Sequence, residues 1–243
     1  MAASSIADRE PGHPNSGNFL RDIVFGANDG VVTAIGFLVG IAGTVNNQGI
    51  IVLAGILTIV AGSASMALGN YLGVKSQREF YDQMERIERW EMEHKPDVEK
   101  QEIEEIYSKI GFSGRELEIL VDKVTSDKEL WLSVMMRDEL GLSQEENGNP
   151  VVSGLIMGAF YLLGGIPPLL PFIFLKPINR ALIFSVIVAV LVMGFIGFFR
   201  WFLNKGSLKG KVMETIIIGI LAAFVGFAAG QVLTVLGVQG VSI

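Results

Sequence analysis

A set of glutamates and methionines between residues 88 and 139 is spaced to meet around one ion. Glu88 and Glu91 are three residues apart, and Glu99 and Glu102 repeat that spacing beyond Pro96. Residues three apart share a helix face. Two antiparallel helices joined at Pro96 could therefore point the two pairs at each other. Met135 and Met136 precede Glu139 by four and three residues, so at least one thioether shares its face. Oxygen donors alone suit Mg2+ or Ca2+, and a thioether adds preference for a softer ion such as Fe2+. Solvated acidic helices with core methionines produce the same pattern, so spacing by itself leaves both readings open.

Asp29 is a second chemical feature, lying in the apolar run VFGANDGVVT. An ionised carboxylate at the bilayer centre costs about 2.5–3.5 kcal/mol on insertion scales, so an ion or proton pathway is the default expectation. A cap or hydrogen bond near the cytosolic end is the other reading, since Asp29 is close to the start of its run. Met66, in SASMALGNY, could face Asp29 across a helix pair or simply fill core. Ser63, Ser65 and Asn70 make this the most polar part of its span. Glu214 reads as interfacial.

The elements that hold these groups follow from composition. Of 243 residues, 50% are hydrophobic and 18% charged. The mean hydropathy is +0.48. Soluble domains carry about 25% charged residues, so the chain points to a membrane. It has no cysteine, which excludes disulfides, thiolate metal sites and iron–sulfur clusters. With only His13 and His94, a three-histidine zinc site within one chain is excluded too. Residues 75–149 hold 20 of the 25 acidic groups and 11 of the 19 basic ones, a net of −9, while the rest is +3. A nucleic-acid binder would show the opposite asymmetry, so nucleic acid is not an expected partner.

Five stretches reach the roughly 20 residues a bilayer crossing needs. They run from Leu20 to Thr44, Ile50 to Val74, Val151 to Leu175, Ala181 to Phe202 and Val212 to Val238. The first 19 residues are polar and read as a disordered cytosolic tail rather than a signal peptide. Lys205, Lys209 and Lys211 crowd the turn between the fourth and fifth stretches, whereas the turn at 45–49 has no Lys or Arg. The positive-inside rule then places the N-terminus, residues 75–149 and the 205–211 turn in the cytosol. Small-xxx-small pairs at Gly26/Gly30, Gly36/Gly40, Gly69/Gly73, Gly154/Gly158 and Gly226/Gly230 predict close helix packing, with some left for a dimer. The run GGIPPLLP should break or kink the third span.

The 75–149 segment reads as a helical domain. The second span continues as a charged helix until Pro96, which also suits the first position of the next helix. That helix should stop at Gly111. Ser113 with Glu116, and Ser126 with Glu129, match the capping box and predict helices over 114–124 and 127–140.

VFGANDGVVT, SMALGNYLGVKSQREFY, ELWLSVMMRDELGL and GGIPPLLP, in that order, resemble the vacuolar iron transporter family, which includes the yeast calcium-sensitive cross-complementer proteins. The resemblance runs from about Phe19 to the C-terminus. It implies an all-α membrane protein of five transmembrane helices, with a cytosolic helical metal-binding domain between the second and third. It further implies a homodimer that exchanges cytosolic Fe2+ for protons along a path between subunits. Carried over residue by residue, the cytosolic ligands are Glu88, Glu91, Glu99, Glu102, Met135, Met136 and Glu139, and the path ligands are Asp29 and Met66. The membrane would be vacuolar in a eukaryote and the plasma membrane in a prokaryote. Two positions depart from the pattern. Thr58 stands where plant members carry glutamate, and Asn70 where many other relatives do. This leaves Asp29 as the one carboxylate well inside the first two spans.

Three classes follow. A metal/proton antiporter is the leading expectation, with no enzymatic activity or resident cofactor and with Fe2+ as cargo; the choice among Fe2+, Mn2+, Co2+ and Zn2+ stays open. A membrane-anchored metal sensor or buffer is the alternative, and needs neither Asp29 nor a broken third span. A ferritin-like oxidase would need a second Glu-x-x-His beside Glu91–His94, and the sequence has none.

Overall fold

Apolar runs with helical periodicity leave the backbone one way to satisfy itself in lipid, and the fold follows. The computed structural model describes residues 17–143 and 148–236. Its helices are α1 (Gly17–Ala42), α2 (Gln48–His94), α3 (Pro96–Ile110), α4 (Gly114–Thr125), α5 (Lys128–Val134), α6 (Pro150–Phe174), α7 (Ile178–Asn204) and α8 (Leu208–Val235). A π-helical turn, Met135–Glu139, directly follows α5. Five helices, α1, α2, α6, α7 and α8, are long and apolar enough to cross a membrane. Most of the expected N-terminal tail, and the end of the fifth span at Val238, lie outside the described residues. Within the tail, residues 17–19 already belong to α1.

The chain divides into two compact units, one formed by residues up to Tyr71 together with Pro150 onward, the other by Leu72–Asn149. In the first, α1 packs against α6, α7 and α8. Ala34 and Leu38 meet Ile51 and Ile59 of α2 and Leu169 and Phe172 of α6 in one buried cluster. Val31 and Ile35 meet Ala189, Met193 and Ile196 of α7 in another.

Four of the five glycine pairs lie at these crossings. A Cβ on Gly26 would sit 2.5 Å from the Met157 carbonyl, and one on Gly40 2.7 Å from that of Gly226. One on Gly154 would sit 2.5 Å from the carbonyl of Ala67. The backbones thus touch where only hydrogen fits. Gly69 and Gly73 have nothing within 4 Å.

The third span was expected to break or kink at its prolines; it does not break, and α6 runs on through Pro167, Pro168 and Pro171. Polar side chains of neighbouring helices bond other carbonyls of this stretch. Ser185 donates to the Pro168 carbonyl at 2.6 Å. Gln48 caps the far end of α6, donating to the carbonyls of Phe172 and Leu175 at 2.6 and 2.7 Å.

In the second unit, Pro96 takes the first position of α3, and Gly111 ends that helix at φ 114°, a left-handed cap. Ile103, Leu117, Val121, Val124, Trp131, Val134 and Met135 form its core. The capping residue of α5 is Asp127 rather than Ser126, with Asp127 accepting from the amides of Glu129 and Leu130. Ser113 occupies its expected cap position but makes no side-chain capping bond. The expected helix over 127–140 is therefore shorter, and gives way to the π turn, in which the Leu140 amide reaches back to the Met135 carbonyl at 3.1 Å.

Candidate metal site

The Pro96 corner folds the second half of α2 against α3, and this brings together one glutamate of each pair, Glu88 and Glu99. Carboxylate oxygens of Glu88, Glu99 and Glu139 all lie within 4.8 Å of one another. Donors on opposite sides of an ion at about 2.4 Å stand about 4.8 Å apart, so the three can share one cation. Glu88 and Glu99 are 4% and 3% exposed, while Glu139 is at the surface. One oxygen of Glu88 and one of Glu99 are buried with no hydrogen-bond partner. Such orphaned acceptors are costly, and a cation satisfies both at once.

Electrostatics extend the site. Burial, then the charges of Glu139, Glu91 and Glu102, raises the Glu88 carboxyl from 4.5 to about 7. Burial, then Glu102, Glu88, Glu91 and Glu139, raises Glu99 to about 7 as well. Burial, followed by Glu102 and Glu91, also raises Glu139. Five glutamates thus share one field. Glu91 is drawn outward in part, accepting from Lys95 at 3.0 Å.

The methionines part company. Met135 is fully buried in the apolar core of this unit, whereas Met136, 2% exposed, lies outside that cluster. Both sit on the π turn with Glu139, and π turns recur at functional sites because they reset which side chains face inward.

In the membrane-spanning unit, Asp29 on α1 and Met66 on α2 are each half-buried. Tyr161 of α6 is buried. Gly62 of α2 packs directly on its hydroxyl. The sequence reading missed two buried groups here. Asp22 is fully buried and accepts from the Ser153 hydroxyl of α6. Ser153 in turn accepts from the Asn70 amide of α2 at 3.0 Å. A carboxylate at the sixth position of an apolar helix was a readable signal; its partner, 131 residues away, was not.

The VIT family profile matches residues 20–231, which include both sites. The chain belongs to the VIT family of vacuolar iron transporters. A "Vacuolar iron transporter" from Centaurea cyanus is 32% identical over 219 residues, covering 90% of this chain and 89% of that protein. "Vacuolar iron transporter 1" from Oryza sativa subsp. japonica is 31% identical over 90% of this chain and 87% of its own length. "Protein CCC1" from Saccharomyces cerevisiae is 27% identical, covering 84% of this chain and 66% of that protein. Membership in the VIT family and the five apolar helices make this a multi-pass membrane protein.

Proposed function

We propose that this VIT-family chain moves Fe2+ out of the cytosol, into a vacuole or out of the cell, in exchange for protons. Glu88, Glu99 and Glu139 take the ion, with Glu91 and Glu102 supplying further negative charge. Met136, and Met135 if the core yields it, supplies a thioether that favours Fe2+; the oxygen set also accepts Mn2+, Co2+ and Zn2+. Asp29 and Met66 pass the ion through the membrane. The observation that carries this reading is the convergence of three carboxylates from α2, α3 and the π turn, two of them buried with orphaned oxygens.

The path belongs to a homodimer in this reading. Support comes from α2, whose Leu53, Leu57, Val60 and Leu68 are exposed and whose Gly69 and Gly73 face open space. Half-buried Asp29 and Met66 suit a path completed by a second copy. The N-terminus and residues 75–149 face the cytosol, as the lysines at 205–211 favour.

Fe2+ influx into proteoliposomes with an acidic interior tests the proposal. Asp29→Asn keeps size and removes the charge, so proton-driven flux should stop while binding by the acidic unit persists. Flux at the wild-type rate from that variant sinks the path assignment. Iron binding without flux in the wild-type protein would make the chain an anchored metal buffer instead.

A further inference from the structure

The membrane-spanning unit holds a cavity of about 390 Å³ where α1, α6 and α7 meet. Its wall is made of apolar side chains and the backbone at Gly164, so water finds no partner there. Leu163 and Phe195 of the wall are 61% and 67% exposed, so the cavity opens sideways, where a bilayer presents acyl chains. Small-molecule sites span about 300–1,000 Å³, and this cavity falls in that range. The second copy invoked above is assigned to α2, which does not line it.

Two arginines give this apolar slot a charged end. Gly26 packs on Met157 and Gly30 on Tyr161, so α1 and α6 run the same way, and α7 returns. The start of α1 and the end of α7 therefore lie at one membrane face. Val24 of α1 and Ile196 of α7 pack in one cluster, and both line the cavity. Arg21 comes three residues before Val24, and Arg200 four after Ile196. Each arginine thus shares a helix face with a wall residue and stands about one turn nearer that membrane face. Trp201, whose indole donates to the Gly206 carbonyl at 3.2 Å, marks the level at which tryptophans meet headgroups.

Arg200 donates to the hydroxyl of buried Thr215 at 3.1 Å and to Glu214 at 3.2 Å, and Arg21 donates to Asp22 at 3.4 Å. A guanidinium carries five N–H donors, more than these bonds among the described residues use. The side chains are 28% and 55% exposed. Exposed Lys205 and Lys209 follow in the adjoining turn. Guanidinium matches phosphate through paired bonds, and basic pockets between spans suit anionic headgroups.

We propose that the cavity and the two arginines form a site for one anionic phospholipid, with an acyl chain between α1, α6 and α7 and the headgroup phosphate on Arg21 and Arg200. The inference goes beyond the transport reading and does not depend on it. A cation near an anionic lipid contributes about fivefold in affinity. Glu214 offsets part of Arg200, so the pair together contributes about tenfold.

Native mass spectrometry of the full chain in micelles counts bound lipid, with phosphatidylglycerol, phosphatidylcholine of the same chains, or inorganic phosphate as the probe. One phosphatidylglycerol per chain should bind, half-saturating at about tenfold lower concentration than phosphatidylcholine, and phosphate alone should not bind at those concentrations. Arg21→Gln, at an exposed position, should cut that preference several-fold, and Arg21→Gln with Arg200→Gln should remove it. Val192→Phe fills the cavity from α7 and Ala27→Leu fills it from α1. Each should weaken both lipids about tenfold while the lipid-free thermal midpoint holds or rises. If one filled variant fails to fold, the other is read alone. Equal affinity for the two lipids, a preference that survives the double arginine change, or lipid binding untouched by a folded filled variant overturns the proposal. Filled variants that alter self-association instead of lipid binding overturn it too, and make the cavity a contact between copies.

Discussion

Glu99→Gln separates a binding site from a structural carboxylate, because it should raise stability and abolish binding together. Glu99 is 3% exposed and one of its oxygens has no partner. Its carboxyl is raised from 4.5 to about 7, which corresponds to about 3 kcal/mol lost from folding when it ionises. The sign is fixed by direction. A raised folded-state value means that stability is full below about pH 4.5 and drains away as pH rises through 7. Glutamine removes that loss, and its amide can donate to the orphaned oxygen of Glu88. An imperfect fit returns about 1 kcal/mol as an unsatisfied polar group, leaving a net gain of about 2 kcal/mol at pH 8. Hydrogen exchange in the whole protein reads this directly: amides of residues 97–110 should exchange about 30-fold more slowly than in wild type. Mn2+, which resists oxidation, should bind at least tenfold more weakly by calorimetry. Faster exchange with unchanged Mn2+ affinity would show that Glu99 serves the fold, and the site reasoning would fail.

Three other outcomes are expected. Lowering pH from 8 to 5 without metal should raise the protection of amides throughout residues 96–134 after correction for the intrinsic pH dependence of exchange, whereas saturating Mn2+ should abolish that gain, because a bound cation replaces the protons on Glu88 and Glu99. Met136→Leu should weaken Fe2+ more than Mn2+ in calorimetry, while Met135→Leu, a volume-conserving change in the core, should alter stability by less than about 1.5 kcal/mol and leave affinity alone; equal effects at the two positions would return Met136 to the core. Gly40→Ala should lower the thermal midpoint sharply, since its Cβ meets the Gly226 carbonyl at 2.7 Å, whereas Gly69→Ala should leave it unchanged and instead weaken self-association seen by light scattering.

Local chemistry explains what the sequence made legible. Pro96 and Gly111 act through their own backbone restrictions, so the α2–α3 corner and the end of α3 could be placed without any tertiary knowledge. The three-residue spacing of glutamates needed only helical geometry, and it led to a site that gathers Glu88, Glu99 and Glu139. Features set by distant partners were hidden. Nothing near Asp22 announces Ser153, and nothing near Pro168 announces the Ser185 hydroxyl that meets its carbonyl. The capping box favoured Ser126, yet Asp127 won because its carboxylate reaches two amides at once. The π turn at Met135–Glu139 arises where a helix must bury Met135 and still turn Glu139 toward Glu88 and Glu99. Period alone could not predict it, since a one-residue insertion leaves the apolar spacing nearly intact.

The values near 7 bear on what kind of metal site the acidic unit is. A storage site gains from ligands that stay ionised whatever the pH, because protons then never compete. Glu88 and Glu99 are built the other way: burial and crowded like charges raise both carboxyls to about 7, where a proton competes with a bound cation near neutral pH. Empty, they are partly neutral and the unit is stable; filled, the cation carries the charge that the protons gave up. In the proposed transport, each cycle of loading and release would therefore move protons in the opposite sense to the metal at the site itself. Small changes in proton activity shift such a site between holding and letting go, which suits an ion in transit and argues against a permanent store. The same logic sets the test apart from simple affinity: calorimetry in buffers of different ionisation enthalpy should show between one and two protons released per Mn2+ at pH 6.5, falling toward zero at pH 8.5. A release of zero at both pH values would mean that the carboxylates were already ionised when empty, and the transit argument would lose its basis.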